Sequence, residues 1–372
     1  MHAAPGNPGI AALASCHPVR AEDPASVVPL AAELEVDLVV VGPEAPLVAG
    51  LGDALRRRGI PVFGPSAAAA RIEGSKAFAK DVMEASAVPT ARTLAIARPP
   101  CVVKADGLAA GKGVWACRDQ PALDAALRAA QTLGQPFHVE ELLEGPELSV
   151  FAIAAGVQAI ALPASRDFKR IGDGDTGPNT GGMGSYSPVA DAPDLEGILE
   201  TIHRPVLREL ARRGTPFFGL LYGGLMLTEQ GPQVIEFNCR FGDPETQSVL
   251  PRLEGGLLEV LAAAAAGELA GVEPPAAAGA AVTVVVASRD YPERSESGTP
   301  IDGIEDAEKA GALVFHAGTA LQDGRVVTNG GRIIGVTGTG SSVADAREAA
   351  YKGVARIDFA GMQFRQDIAS NA

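Results

Sequence analysis

The stretch Lys104-Ala-Asp-Gly107-Leu-Ala-Ala-Gly111-Lys112-Gly113-Val-Trp-Ala-Cys117 decides how this chain is read. Two lysines among three glycines suggest a P-loop, but that motif needs four residues between its glycines and a Ser or Thr after its lysine. Here three residues separate Gly107 from Gly111, and Gly113 follows Lys112. The residues beyond, Val-Trp-Ala-Cys, have the composition of a strand rather than a helix, and residues 101–104 form another strand ahead of the loop. The segment is therefore expected to be a glycine hairpin between two strands, able to fold over a triphosphate with backbone N–H groups. Lys104 on the incoming strand supplies a fixed positive charge. A plain Gly-rich turn is the alternative, and two lysines bracketing the glycines favour phosphate.

Downstream, Val234-Ile-Glu236-Phe-Asn238-Cys-Arg240-Phe-Gly-Asp243-Pro-Glu245 closes an apolar strand with polar side chains. Period-2 alternation places Val234, Glu236 and Asn238 on one face and Ile235, Phe237 and Cys239 on the other. Glu236 and Asn238 are then adjacent oxygen donors suited to Mg²⁺ (or Mn²⁺), a hard cation that shares its shell with phosphate oxygens. Arg240 follows as a permanently charged phosphate clamp. Upstream, Gly172-Asp-Gly174-Asp-Thr-Gly177 matches GxGxxG literally. It neither leaves a clear strand nor opens a helix, and its aspartates would repel a pyrophosphate, so it is not a dinucleotide site. An EF-hand fails too, because Gly177 and Gly184 stand where that loop needs acidic or amide ligands. Residues 172–184, too polar for a core element and preceded by Lys169-Arg170, are expected to be a mobile active-site loop. In Val139–Glu147 a strand end with nearby glutamates could receive adenosine, a weak signal on its own.

The remainder divides by texture. Residues 36–41 (VDLVVV) are expected to be a buried strand, followed by the Gly42-Pro43-Glu44 turn, a helix over 47–58 and a strand at 62–63. Strands alternating with helices indicate an α/β sheet, whose ligands sit at the carboxyl ends of its strands, where this turn lies. Ser75 is a plausible N-cap for a helix over 76–87. Residues 195–213 are expected to be helical, and 219–227 with 233–239 a strand pair. After a linker-like 271–279, strands at 281–288, 312–316 and 332–336 and a helix over 343–356 make a small α+β unit. The expected domains are 1–64, 65–270 and 271–372.

Composition narrows the function. The 372 residues carry 31 Lys+Arg against 45 Asp+Glu, a net charge of −14, with 47% apolar and 20% charged residues. This builds cores and excludes general disorder. The acidic balance argues against a nucleic-acid binder. Residues 1–20 lack the apolar core of a signal peptide, and the apolar stretch 257–266 is too short to span a bilayer, so no membrane partner is expected. Cys16, Cys101, Cys117 and Cys239 form no CxxC pair and suit ordinary thiols in a reducing cytoplasm. The five histidines are equally dispersed.

Together these segments resemble the ATP-grasp ligases and, among them, the phosphoribosylamine–glycine ligases of purine synthesis. The resemblance runs over nearly the whole chain: APGNPG at 4–9, VVGPEAPL at 40–47, FGPS at 63–66, EGSKAF at 73–78, KADGLAAGKGV at 104–114, KRIGDGDTGPNTGGMGSYSP at 169–188, VIEFNCRFGDPETQ at 234–247 and FHAGT at 315–319. It implies an α/β chain with a Rossmann-like preATP-grasp domain, a central ATP-grasp fold and a small C-terminal α+β domain. It also implies that ATP phosphorylates glycine and that the amine of 5-phosphoribosylamine displaces phosphate. In that scheme Glu236 and Asn238 hold Mg²⁺. Lys76, Lys104, Gly107, Gly111 and Gly113 embrace the triphosphate, and Glu141, Leu143 and Glu147 line the adenosine pocket. Lys169, Arg240 and Asp243 surround the reacting groups, Gly42, Pro43 and Glu44 face substrate, and Asp175 and Asn179 close over it. A cytoplasmic monomer is expected. The family carries a first strand and a Gly-rich turn of the type GSGGREHA ahead of APGNPG, whereas Met1 stands almost directly before that segment here. The segments between Pro89 and Cys101 and between Arg118 and Phe137 are also short. The expectation is that the true start lies upstream. The competing readings are a nucleotide-binding remnant without turnover and a ligase for another carboxylate and amine.

Overall fold

The computed structural model describes residues 1–107 and 113–372. Its centre is an antiparallel sheet ordered Gly231–Asn238, Phe218–Thr228, Glu147–Ala155, Gln158–Ala161. Against it stands a smaller lobe of three antiparallel strands, Val114–Cys117, Cys101–Ala105 and Phe137–Glu141. The helix Gln120–Thr132 covers this lobe and starts at Asp119, whose carboxylate accepts from Ala122 N at 2.9 Å. Val103, Leu123, Ala126 and Val139 give the lobe a core of its own.

The Phe218–Thr228 and Gly231–Asn238 ladder slips at Gly224/Leu225, leaving Ile235 as an extra residue. Such a bulge resets the alternation. Val234 therefore joins Phe237 in the main core, with both almost fully buried, while Glu236 and Asn238 remain half-buried on the opposite face. The expected placement of Val234 beside the two oxygen donors is corrected; the pairing of the donors stands.

At the N-terminal end, Val39–Val40 runs parallel to Val62–Phe63. The expected buried strand over 36–41 shrinks to these two residues, and Val40 is 44% exposed. Val41 is nonetheless buried, and Val36, Leu38 and Val39 pack partly buried against the core. The expected helix over 47–58 is two helices, Glu44–Val48 and Leu51–Arg56, broken where Gly50 adopts φ +88°. The expected helix over 195–213 is likewise segmented, with a π turn at Leu199–His203 ahead of Arg204–Arg212.

The C-terminal sheet reaches back into the middle of the chain. Its order is Arg166–Asp167, Gly184–Ser187, Ala280–Ala287, Arg332–Gly340, Leu313–His316. The helix Val343–Val354 lies on it so closely that a Cβ at Gly338 would meet Ala350 N at 2.2 Å. Residues 172–184 hang from this sheet and are not shapeless: Arg170–Gly172 and Thr176–Asn179 pair as a small antiparallel hairpin with an exposed tip. No helix of the described residues is long and apolar enough to cross a membrane.

Candidate active site

The cleft between the small lobe and the central sheet is set by local capping chemistry. Ser75 accepts from Phe78 N at 3.2 Å and so starts the helix Lys76–Ala85. Ser75 Oγ also donates to Asp106 at 3.3 Å, and Ala77 N donates to the same carboxylate at 3.3 Å. Lys76 Nζ donates to Gly107 O at 3.3 Å, fastening the start of the glycine hairpin to the helix. Gly107 turns with φ +89°, and Gly113 O accepts from Ala105 N at 2.8 Å where the hairpin closes. Gly111, with Lys112, lies outside the described residues.

Lys104 Nζ spans the cleft, donating to Ile235 O at 2.8 Å and pairing with Glu140 Oε2 at 2.6 Å. Glu140 also receives Lys80 Nζ at 2.9 Å and His138 Nε2 at 3.1 Å on its other oxygen. Lys80 further donates to Thr90 Oγ1 at 3.2 Å and to Ala91 O. Burial alone would raise the Glu140 pKa. The His138 hydrogen bond and the Lys104 and Lys80 charges outweigh it and hold that carboxyl at about 2. Two lysines formally exceed one carboxylate, so this buried knot offers positive charge to a polyphosphate. Glu140, not the neighbouring Glu141, is the glutamate turned inward. Glu141 faces outward, binding Arg92 at 2.7 Å, while Leu143 is half-buried. The Glu147 carboxylate, partly exposed, meets Lys169 at 3.1 Å.

Beyond Ile235, Glu236 and Asn238 present their side chains with no hydrogen-bond partner among the described residues. Gly224 opposite leaves room, since a Cβ there would touch Glu236 Cγ at 3.4 Å. One carboxylate and one amide oxygen on adjacent same-face positions, unclaimed by protein donors, fit a hard divalent cation that takes further oxygens from phosphate. Among the described residues no three His, Cys, Asp or Glu side chains gather into a closed metal cage.

Past the strand, Arg240 lies between two carboxylates. Its Nε meets Glu44 at 3.3 Å and its Nη2 meets Glu73 at 3.1 Å. Glu73 is fixed by Cys239 N at 2.7 Å. Burial pushes the Glu73 carboxyl up, opposed by Arg240; Arg240 itself, despite burial, is held more firmly charged by Glu73 and Glu44. The Gly42-Pro43-Glu44 turn is thus brought to Arg240 from the N-terminal unit, with Gly42 and Pro43 exposed beside it.

Lys169 forms a second knot, at 2.7 Å from Asp167 and 3.1 Å from Glu147. Burial opposes its charge, but Asp167 and Glu147 raise its pKa well above the ordinary lysine value. Nearby, Tyr222 OH donates to the buried Glu245 at 2.7 Å and contacts Ser149 Oγ at 2.9 Å. Burial first, then Asp167, pushes the Glu245 carboxyl up to about 7, with Lys169 opposing.

Asp243 is exposed and bonded to Gln247 Nε2 at 3.0 Å and to Arg332 Nη2 at 3.2 Å. Asp175, expected to close over substrate, is held at the hairpin tip by Arg365 at 2.7 Å. Gly174 N donates to Asp367 at 2.8 Å and Gln366 N to Asp173 at 2.8 Å, so the C-terminal residues clasp the tip. Asn179 is half-buried opposite Arg170 in the same hairpin. Glu140, Lys80, Glu73, Glu245, Arg332 and Arg365 escaped the assignment of site residues from sequence. Lys80 could have been found one helical turn from Lys76, and Glu73 from its place in EGSKAF. The two arginines carry no local signal.

Three family descriptions match this chain: the N domain of phosphoribosylglycinamide synthetase over residues 1–73, its ATP-grasp (A) domain over 74–246 and its C domain over 281–371. The phosphoribosylamine–glycine ligase of Streptomyces coelicolor is 51% identical over 390 aligned positions, covering 100% of this chain and 93% of that protein. That of Leifsonia xyli is 48% identical, again over 100% and 93%. The crystal structure of phosphoribosylamine–glycine ligase from Thermotoga maritima superposes with a TM-score of 0.85 at 34% identity, covering 99% of this chain and 93% of that one. A biotin carboxylase domain from Hydrogenobacter thermophilus, solved with MgADP, shares the fold with a TM-score of 0.69 at 16% identity, over 94% and 82%.

Proposed function

The chain belongs to the phosphoribosylglycinamide synthetase family, and from that premise we propose how its residues carry the family reaction. It is an ATP-dependent carbon–nitrogen ligase that joins glycine to 5-phosphoribosylamine, giving glycinamide ribonucleotide in purine biosynthesis. The observation that carries the residue assignment is Lys104 Nζ on Ile235 O at 2.8 Å. That bond fixes the cation of the glycine hairpin beside the strand bearing Glu236 and Asn238.

ATP lies in the cleft between small lobe and central sheet. Lys76, Lys104 and the N–H groups of Gly107 and Gly113 bind its phosphates, the Glu140 knot keeping Lys104 aimed at them. Glu236 and Asn238 hold a divalent cation, Mg²⁺ or Mn²⁺, which supplies charge neutralisation at the phosphates when bound. Adenine meets the strand end at Glu141–Leu143 through backbone groups, because the Glu141 side chain is turned to Arg92. Transfer of a phosphoryl group depends on placement and charge more than on covalent help from the protein. A glycine carboxylate oxygen attacks the γ-phosphorus, ADP departs, and glycyl phosphate results. The amine nitrogen of phosphoribosylamine then attacks the acyl carbon, the C–O bond to phosphate breaks, and nitrogen gives up one proton. Arg240, steered by Glu44 and Glu73, faces the anionic groups of this sequence, with Lys169 and Asp243 flanking it. Gly42, Pro43 and Glu44 contribute to the phosphoribosylamine side, and residues 172–184, with Asp175 and Asn179, shield the acyl phosphate from water.

We further propose domains at 1–64, 65–270 and 271–372 and a cytoplasmic monomer; four free thiols suit a reducing compartment. The test is an assay of the purified chain with ATP, glycine and freshly generated phosphoribosylamine. Amide formation requiring all three supports the assignment. ATP binding without amide identifies a remnant, and turnover only with another carboxylate and amine identifies a different ligase.

A further inference from the structure

Two walls meet at the acceptor end of the cleft: the 181–182 peptide, below the hairpin, and the 243–244 turn, after Arg240. They touch directly, since a Cβ on Gly182 would fall 2.4 Å from Pro244 Cδ. Arg332, from the C-terminal domain, fastens both. Its Nη1 donates to Gly181 O at 2.6 Å and to Asp243 O at 2.7 Å, and its Nη2 pairs with the Asp243 carboxylate at 3.2 Å. Gly181 is clasped from the other side, its N–H donating to Tyr291 OH at 3.1 Å. A side chain at 181 would collide with the guanidinium, a Cβ lying 2.9 Å from Arg332 Cζ.

Arg332 is held on a rigid element. It opens the strand Arg332–Gly340 and lies opposite Ala287 of the strand Ala280–Ala287, which also pairs with Gly184–Ser187 just below the same wall. Val285 N donates to Met183 O at 3.0 Å, so sheet and wall are continuous. A flat guanidinium can reach two carbonyls and a carboxylate at once, whereas an ammonium cannot hold that fork.

We propose that Arg332 is a positioning residue for the second half-reaction. By setting the 181–182 peptide against Asp243, it shapes the space in which the acyl phosphate meets the amine instead of water. The proposal rests on the ligase reading above. A brace that served stability alone would alter melting but not the fate of the acyl phosphate.

The experiment compares the full chain with its Arg332→Gln and Arg332→Lys variants, measuring ADP and amide product separately with all three substrates. The wild type should release one ADP per amide. Arg332→Gln should lose about tenfold or more in kcat/KM for glycine and release about two or more ADP per amide, as misplacement and water entry would produce. Its KM for ATP should stay within about twofold, because the triphosphate end does not touch Arg332. Arg332→Lys, which keeps the charge and loses the fork, should leak to an intermediate degree, and it decides the matter if the glutamine variant does not fold. Tight one-to-one coupling in a folded variant overturns the proposal, as does a rise in the KM for ATP matching that for glycine. A wild type that makes no amide overturns the ligase reading itself, a separate result.

Discussion

The two ends of the cleft are held by opposite means. At the nucleotide end, Lys80, Lys104 and Glu140 form a knot with side chains no more than 9% exposed, and every partner lies within residues 80–235. At the acceptor end, Asp175 and Asp243 are exposed carboxylates held by Arg365 and Arg332, which come from the C-terminal domain. Breaking the buried knot is costly because it strands an uncompensated charge, whereas at the other end only the carboxylates face water, with Arg365 buried and Arg332 22% exposed, so those pairs are half-sheltered. The contrast teaches a division of labour. The proposed nucleotide end is closed within one stretch of the chain, whereas the proposed acceptor end is assembled from distant segments and, on the reading above, directs the acyl group.

Glu236→Ala should have the largest effect, lowering Mg·ATP-dependent turnover by ~10²-fold or more, a loss comparable to removing one directed charge-stabilising group. Near-normal rates in a coupled ADP-release assay would remove Glu236 from the cation site. Glu140→Ala should destabilise the fold by about 3–5 kcal/mol in urea unfolding, since it leaves two buried lysines without their carboxylate. Cutting Arg332 instead should spare stability and impair coupling; equal destabilisation from both changes would erase the distinction between the ends.

Two buried groups should also differ in sign with pH. His203, fully buried behind Phe237 with ring centroids 5.9 Å apart, has its pKa pushed down to about 4, first by burial. From pH ~6.5 down to ~4 the unfolded chain therefore takes up a proton that the native state refuses. This group's contribution is complete above the unfolded pKa and is lost as pH falls. Glu245 behaves oppositely. Its folded carboxyl is held up at about 7 by burial and Asp167, so its contribution is present at acid pH and lost as pH rises from ~4.3 to 7. Each difference amounts to at most about 4 kcal/mol. Urea unfolding from pH 5 to 7 should show a steeper decline with pH in His203→Leu and a shallower one in Glu245→Gln. Parallel profiles for both variants and the wild type would contradict these assignments. The smallest effect belongs to Arg92→Ala, which should leave the KM for ATP within about twofold because an exposed pair carries little. A large rise would mean that the Glu141 side chain, not its backbone, receives adenine.

What could be read from the sequence follows the same division. Ser75 as a cap, the antiparallel pairing of residues 101–104 with 114–117, and Glu236 beside Asn238 are local patterns of turn chemistry and alternation, and the structure contains them. Alternation alone could not say which of Glu140 and Glu141 points inward, because register depends on the neighbouring strand. Nor could it foresee the extra residue at Ile235, which moves Val234 to the other face. The apolar run at 36–41 is largely covered, but its strand is only Val39–Val40, because apolar content does not say where strand pairing ends. Arg332 and Arg365 were illegible for a plainer reason. They meet Gly181 and Asp175 across 151 and 190 residues, and only the folded C-terminal sheet brings them there.

The central claim, that the acceptor end receives an acyl phosphate made at the nucleotide end, is tested most directly with glycine labelled with ¹⁸O in its carboxylate. Attack of that carboxylate on the γ-phosphorus predicts one ¹⁸O in each phosphate released as amide forms, read by mass spectrometry. Unlabelled phosphate accompanying labelled amide would contradict it.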